Sequence, residues 1–211
     1  MSEPAEPGTH EFDVTASEDV YVGSVIGLRV DTVTMPGGAT ARREVVEHQG
    51  AVAIAAVDTD RRVTLIHQYR HPFGRRLWEL PAGLLDSAGE DPVDTARREL
   101  AEEVGLAADH WETLVDNAAS AGFTDEVVRV FLARGLRPVD RHVLDGEEAD
   151  LVIKQVPLDE AVRMVLAGEL INGATVSGVL AAHAALTGAA ATRAADAPWR
   201  DRPVRFRRRL R

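Results

Sequence analysis

Three glutamates, Glu99, Glu102 and Glu103, lie within five residues of a predicted helix. Residues three and four apart on a helix have Cβ atoms roughly 5–6 Å apart and share a face, so these carboxylates converge and repel one another unless a cation lies among them. Their oxygens are hard ligands that suit Mg²⁺ or Mn²⁺ better than Zn²⁺. A substrate that completes such a site brings oxygens of its own, as a diphosphate does. The chemistry indicated is therefore metal-assisted hydrolysis of a phosphoanhydride.

The helix that carries these glutamates has clear predicted limits, 92–104. Asp91 suits the N-cap, Pro92 suits the first helical position, and Gly105 suits the left-handed residue that ends a helix. An apolar stripe with helical spacing faces the core: Val93, Ala96, Leu100 and Val104. The ordinary alternative is a solvated acidic helix in which neighbouring arginines supply ion pairs.

The segment before the helix is predicted to complete a pocket floor. Residues 77–80 read as a strand, and Pro81, Ala82 and Gly83 bend the chain out of it. A strand end, a loop and an acidic helix then meet at one place.

The string from Pro81 to Leu106 resembles the Nudix hydrolase signature, which reads Gly, five residues, Glu, seven residues, then Arg-Glu-apolar-any-Glu-Glu-any-Gly-apolar. The matching positions, counted back from the end, are Leu106, Gly105, Glu103, Glu102, Leu100, Glu99, Arg98 and Glu90. Gly83 lies one residue too early, and a loop absorbs such an insertion at little cost. The resemblance implies an α/β fold, the Nudix α/β/α sandwich, here with a small N-terminal β-sheet subdomain.

The same resemblance implies roles for the signature residues, with Mg²⁺ or Mn²⁺ as cofactor. Glu99, Glu103 and the carbonyl of Ala82 bind the metal. Glu102 joins through water or binds a second ion, and Arg98 orients the carboxylates. Glu90 supports the loop.

The catalytic base of the family often lies on a loop after the signature. Glu148 in the string GEEAD fits that place, and Glu147 is its rival. Both glutamates also read as ordinary solvated loop residues.

A wider resemblance to bacterial ADP-ribose pyrophosphatases, especially actinobacterial ones, runs from Tyr21 to Ala185. It is carried by the strings QYRHP, RRLWELPAG, AGFTDE and EEAD. It implies hydrolysis of ADP-ribose to AMP and ribose 5-phosphate by a homodimer that exchanges N-terminal strands. The residues expected to contact substrate are Arg70, Phe123, and either Arg42 or Arg43 from the partner subunit.

Ala121 departs from this pattern, because these pyrophosphatases commonly have a proline there. NADH, ADP-sugars and GDP-sugars therefore remain alternative substrates. A nucleotide sensor without turnover is a further alternative, which the intact run of glutamates disfavours. Arg42 and Arg43 also read as surface strand charges.

The order of the chain predicts four regions. Residues 1–19 are predicted to be a mobile leader, 20–47 to form N-terminal strands for dimerisation, and 48–187 to form the hydrolase domain. Residues 188–211 are predicted to be a linker and a solvated tail, with seven arginines within 200–211. Within these regions the expected strands are two within 21–35, then 41–47, a hairpin of 51–57 with 63–69, 111–115, 127–133 and 151–156. The later helices are expected at 158–167 and 175–186.

Composition limits the remaining possibilities. With 211 residues the chain suits one domain with appendages, and its net charge of −10 argues against a nucleic-acid binder. It has no cysteine, and we expect no membrane span, because no run of about 18 apolar residues occurs. We therefore expect a cytoplasmic protein without disulfides.

Overall fold

The computed structural model describes residues 8–87, 89–141 and 150–209, which form two compact units. The smaller unit holds the described residues up to 49, with 120–126 and 203–209, and the larger unit holds those within 50–119 and 127–202. The strands are β1 (Val14–Val22), β2 (Ile26–Thr34), β3 (Thr40–His48), β4 (Ala51–Ala56), β5 (Arg62–Arg70), β6 (Arg75–Glu79), β7 (Ala82–Leu84), β8 (Leu106–Ala118), β9 (Val127–Pro138), β10 (Val152–Pro157) and β11 (Arg193–Ala194). The α-helices are α1 (Pro92–Val104), α2 (Leu158–Leu166), α3 (Gly173–Leu186) and α4 (Arg205–Arg209), and a 3₁₀ turn covers His71–Phe73.

The smaller unit is built on an antiparallel sheet in the order β1-β2-β3. β1 begins inside the segment predicted to be a leader. Every residue of β1 is exposed, so no alternation of buried and exposed side chains marks it in the sequence, and pairing with β2 defines it. The two short strands predicted within 21–35 are instead the end of β1 and the single strand β2.

The C-terminal segment is part of this unit, so the predicted solvated tail is wrong for its described residues. Phe206 of α4 is 0% exposed and packs at Gly27, where an added Cβ would lie 3.3 Å from its ring. The buried carboxylate of Glu47 is bound by three guanidinium groups, those of Arg29, Arg205 and Arg209. Nonlocal burial of one aromatic ring and one carboxylate therefore orders the tail.

The larger unit contains a five-stranded sheet in the order β11-β8-β9-β4-β7 and a three-stranded sheet in the order β10-β5-β6. β4 is buried along its whole length, between the parallel strand β9 and the antiparallel strand β7. Its two faces contribute to two apolar cores. α1 covers one core through Ala96 and Leu100, and α2 and α3 cover the other. Helices on both faces of a mixed sheet make the predicted α/β/α sandwich, so the fold class is confirmed.

The predicted hairpin of 51–57 with 63–69 is wrong. β4 and β5 belong to different sheets, and in the described chain they share an isolated bridge between Val57 and Val63. Both faces of β4 are apolar, so it takes a central position beside β9 and β7 rather than an edge beside its neighbour in sequence. The turn that follows includes Arg61 at φ 58°, and the chain leaves the first sheet there.

Several predicted elements have other limits. β8 and β9 extend well beyond 111–115 and 127–133, because they pair along most of their length. Ala82 and Gly83, predicted to bend the chain towards a loop, instead belong to β7 and pair with β4. Part of the predicted linker 189–198 pairs with β8 as β11, and Arg129 donates to the carbonyls of Ala197 and Pro198. No helix in the described ranges is long and apolar enough to cross a membrane.

Candidate functional site

Helix α1 has the limits that the sequence predicts, but its N-terminus is capped differently. The side chain of Asp91 makes no capping hydrogen bond, and its carbonyl accepts from the N–H groups of Asp94 and Thr95. The Thr95 hydroxyl donates to Glu90 at 2.9 Å, so Glu90 is tied to the first turn. At the other end Gly105 adopts φ 66°, as predicted, and its N–H closes the last turn.

Two glutamates one turn apart on α1 meet consecutive residues of β7. The N–H of Ala82 donates to Glu103 Oε2 at 2.9 Å, and Glu103 is 2% exposed. Glu99 lies over the next residue, Gly83, where an ideal Cβ would be 2.1 Å from the Glu99 carboxylate carbon. The absence of a side chain at Gly83 therefore allows Glu99 to lie beside Glu103 against the strand.

Arg98 binds three carboxylates at this site. Its guanidinium donates to Glu99 at 2.7 Å, to Glu102 at 3.0 Å and to Glu90 at 3.5 Å. Burial alone would lower the pKa of Arg98, but the charge of Glu99 and the bonds to Glu90 and Glu102 outweigh it and raise the pKa. Arg98 thus stays charged and holds three mutually repelling carboxylates together.

The donors around β7 fit a hard divalent cation. In residues 8–87, 89–141 and 150–209 no three Asp, Glu, His or Cys side chains are already arranged to hold a metal ion. The carboxylates bind Arg98 and the Ala82 N–H instead. All of these side-chain donors are carboxylate oxygens. Glu99 and Glu103 are buried, and the lack of a side chain at Gly83 leaves room for Glu99. Such a donor set matches Mg²⁺ or Mn²⁺ and offers no nitrogen or sulfur to a softer metal.

The arginine predicted to contact substrate, Arg70, is fixed by a buried carboxylate. Its Nε lies 3.1 Å from both oxygens of Glu79, and one terminal nitrogen lies 2.6 Å from Glu79 Oε2. The pair borders a hollow of about 250 Å³ that Phe73, Ile171 and Asn172 also line. Glu79 could not be recognised from the sequence motifs. Its one signal is a charged residue that alternates with Leu77 on the inward face of β6.

The other residues predicted to contact substrate are in the smaller unit. Arg42, Arg43 and Phe123 belong to the smaller unit, and all three are accessible to solvent. Arg42 lies 4.0 Å from Glu18, and Arg43 donates to the carbonyl of Arg42. Phe123 occupies the segment that pairs with β3, through the bond from Val46 N–H to its carbonyl. Their predicted contacts with substrate stay predictions.

The two candidate bases, Glu147 and Glu148, lie outside the described residues. The described chain resumes at Asp150, which is bonded to Arg76 of β6. The choice between the two glutamates therefore remains a prediction from sequence.

The chain is similar to known proteins over most of its length. The model of the NUDIX domain matches residues 47–174. The chain is 53% identical over 197 residues to the ADP-ribose pyrophosphatase of Mycobacterium tuberculosis, covering 93% of this chain and 95% of that protein. It is 38% identical over 165 residues to the methanol dehydrogenase activator of Bacillus methanolicus, covering 77% and 88%. A solved structure described as an ADP compounds hydrolase superposes with a TM-score of 0.73 at 21% identity, covering 85% of this chain and 96% of that one, which supports the fold.

Proposed function

This chain belongs to the NUDIX family of hydrolases, and we propose that it hydrolyses the diphosphate bridge of ADP-ribose to AMP and ribose 5-phosphate. The observation that carries the proposal is the placement of Glu99 and Glu103 side by side on Gly83 and Ala82. Similarity to the Mycobacterium tuberculosis enzyme over nearly the whole chain supports ADP-ribose as the substrate.

In this mechanism Glu99, Glu103 and the carbonyl of Ala82 would hold Mg²⁺ or Mn²⁺, and Glu102 would join through water or a second ion. The ion supplies charge neutralisation on the phosphate oxygens and lowers the pKa of an attacking water. Arg98 keeps the carboxylates together while the ion is absent from the site and orients them when it is present.

Two further residues act on the substrate in the proposal. Glu148 accepts the proton of the attacking water, which is the role of a general base. Arg70 contacts the anionic substrate, because its guanidinium is partly exposed at the hollow. Phe123 is a further proposed contact, and one of Arg42 and Arg43 is proposed to reach the substrate from the partner subunit.

We also propose that the active protein is a homodimer formed through the smaller unit, with exchange of N-terminal strands. The edge strand β1 carries exposed apolar side chains, those of Val14, Val20, Tyr21 and Val22. A second copy would cover this apolar surface and pair with the free edge of the strand. Light scattering after size-exclusion chromatography tests the proposal, and a monomer at micromolar concentration would contradict it.

The function is tested by incubating the purified chain with ADP-ribose in the presence of Mg²⁺, Mn²⁺ or EDTA. AMP and ribose 5-phosphate should appear with either metal and not with EDTA. Hydrolysis in ¹⁸O-labelled water, followed by mass analysis of both products, identifies the phosphorus attacked. NADH, an ADP-sugar and a GDP-sugar are assayed as alternative substrates. A higher kcat/KM for one of them would identify that compound, rather than ADP-ribose, as the preferred substrate.

Glu103→Gln is the decisive variant. Glutamine keeps an oxygen that can accept from the Ala82 N–H, so the fold should persist while the metal-binding charge is lost. We expect kcat/KM to fall roughly 100-fold or more. Asp94→Asn, on the exposed side of the same helix, is the matched control and should behave as the unmodified chain. Unchanged activity in Glu103→Gln would show that Glu103 is not a metal ligand.

A further inference from the structure

Arg70 and Glu79 form an ion pair in which the carboxylate is buried and the guanidinium is partly exposed. Glu79 is 1% exposed, whereas the side chain of Arg70 is 38% exposed. Both residues lie in the same sheet, Arg70 as the last residue of β5 and Glu79 as the last residue of β6. The carboxylate is thus part of the interior, and the guanidinium reaches the surface.

The contacts between them fix the orientation of the guanidinium. Glu79 receives hydrogen bonds from Nε and from a terminal nitrogen of Arg70, at 3.1 Å and 2.6 Å. Paired bonds of this kind hold the planar guanidinium more rigidly than a single contact does. Burying a carboxylate costs free energy unless it is paired, so the fold retains this charge only with Arg70 in place.

The open side of Arg70 faces a hollow. The hollow measures about 250 Å³ and is lined by Phe73, Ile171 and Asn172 as well as by the ion pair. Phe73 is 61% exposed, so its ring is accessible to a group that enters the hollow. Pockets for whole small-molecule ligands measure roughly 300–1,000 Å³, so this hollow suits one part of a larger ligand.

The hollow lies close to the proposed metal site. Glu79 precedes Ala82 by three residues, and an extended chain spans at most about 3.6 Å per residue. The Cα atoms of Glu79 and Ala82 therefore lie within about 11 Å of each other. The N–H of Ala82 binds Glu103, so a diphosphate held by the glutamates has its neighbouring group within reach of Arg70.

We propose that Glu79 is a positioning residue for substrate: it holds the guanidinium of Arg70 towards the anionic diphosphate while the group attached to that diphosphate enters the hollow. This inference rests on the proposed function. Glu79 lines the hollow but is only 1% exposed, so in this proposal the guanidinium of Arg70, and not the carboxylate of Glu79, meets the diphosphate. The loss of Glu79 should therefore weaken substrate binding in the same way as the loss of Arg70.

The test compares the Michaelis constants of four variants for ADP-ribose with Mg²⁺. Arg70→Gln and Glu79→Gln should each raise KM roughly 10-fold, the size expected for a charged hydrogen bond. Their kcat should stay within about threefold of the unmodified value, since the contact serves binding more than the chemical step. The double variant should be no worse than either single one, because the two residues act as one unit. Glu79→Asp, which keeps the charge but moves it by one carbon, should give an intermediate KM.

Asp116→Asn is the structural control. It breaks a second paired Arg–carboxylate contact of the larger unit, with Arg129, so it should lower the melting temperature without changing KM. If Glu79→Gln lowers the melting temperature but leaves KM unchanged, or if the two single effects add in full, the inference is overturned. Should Glu79→Gln fail to fold, an unchanged KM in Glu79→Asp overturns it equally. Failure of the unmodified chain to hydrolyse ADP-ribose is a separate result, which refutes the proposed function.

Discussion

The carboxylate of Glu99 occupies the space that a side chain on Gly83 would need. An ideal Cβ on Gly83 would lie 2.1 Å from Glu99 Cδ and 2.3 Å from its Cγ. The glycine at this position is therefore required by a neighbouring side chain rather than by an unusual backbone angle. The pair joins the strand β7 to the acidic face of α1.

Gly83→Ala should displace the Glu99 carboxylate and weaken metal binding. We expect kcat/KM at low Mg²⁺ to fall roughly 10–100-fold, the loss typical when support for a metal ligand is removed. Raising the Mg²⁺ concentration should restore part of the activity. Combining Gly83→Ala with Glu99→Asp, which shortens the side chain, should cost less than the sum of the two single changes. Strict additivity of the two changes would show that Gly83 does not act through Glu99.

Arg98 and Arg97 are adjacent on α1 and should differ sharply in effect. Arg98 binds Glu90, Glu99 and Glu102, whereas Arg97 makes an exposed ion pair with Asp94. Without Arg98 the three carboxylates repel one another, so Arg98→Gln should lower kcat/KM roughly 10–100-fold. Arg97→Gln should stay within about twofold, since an exposed ion pair contributes little. Steady-state kinetics with ADP-ribose measures both, and equal losses would argue against a special role for Arg98.

Glu148 and Glu147 supply a matched test of the proposed base. Glu148→Gln should lower kcat by roughly 10²–10⁴-fold with little change in KM, because general-base catalysis contributes about that much. Glu147→Gln should leave kcat close to its original value. The pH dependence of kcat provides the second readout, since its acidic limb should disappear with the base. A large loss of kcat in Glu147→Gln alone would identify Glu147, rather than Glu148, as the general base.

Phe206 should stabilise the smaller unit from the far end of the chain. Its ring is fully buried, so Phe206→Ala should lower the free energy of unfolding by about 3–5 kcal/mol. Val204→Ala, at a half-exposed position two residues earlier, should cost about 0.5 kcal/mol or less. Urea unfolding followed by circular dichroism measures both. Equal stabilities for the two variants would mean that the C-terminal segment does not hold this unit.

Asp116 should give the larger unit an acid-sensitive contribution to stability. Burial alone would raise the pKa of Asp116, but hydrogen bonds from Arg129 and Arg193 outweigh it, so the pKa lies below its ordinary value of 3.8. A lowered pKa means that the stabilisation is complete above the unfolded value and is lost as the pH falls through the folded pKa. Asp116→Asn should therefore be less stable than the unmodified chain at about pH 7, and the difference should shrink towards about pH 3.

The control for this pH dependence is Asp60→Asn. Asp60 pairs with Arg62 at the surface, where such contacts contribute little. Urea midpoints for this variant should match those of the unmodified chain at both pH values. A difference for Asp116→Asn that stays constant with pH would contradict the assignment.

The acidic helix and the chemistry that it offers could be predicted from local sequence alone. The limits 92–104 follow from Pro92 and Gly105, and the convergence of Glu99 and Glu103 follows from helical spacing. These are short-range relationships, because the geometry of one helix fixes them whatever the rest of the chain does. The α/β/α sandwich was predicted through the family resemblance that the same residues carry.

Contacts between residues that are far apart in the chain or on different strands could not be predicted and are visible only in the folded protein. β4 pairs with β9 rather than with β5, Phe206 packs at Gly27, and Arg70 is held by Glu79. Each depends on which apolar surfaces and buried charges meet when the chain folds. Periodicity and turn residues report on local conformation and carry little information about such partners. Candidate residues for the chemistry could therefore be proposed from the chain, whereas partners such as Glu79, which binds Arg70, could not.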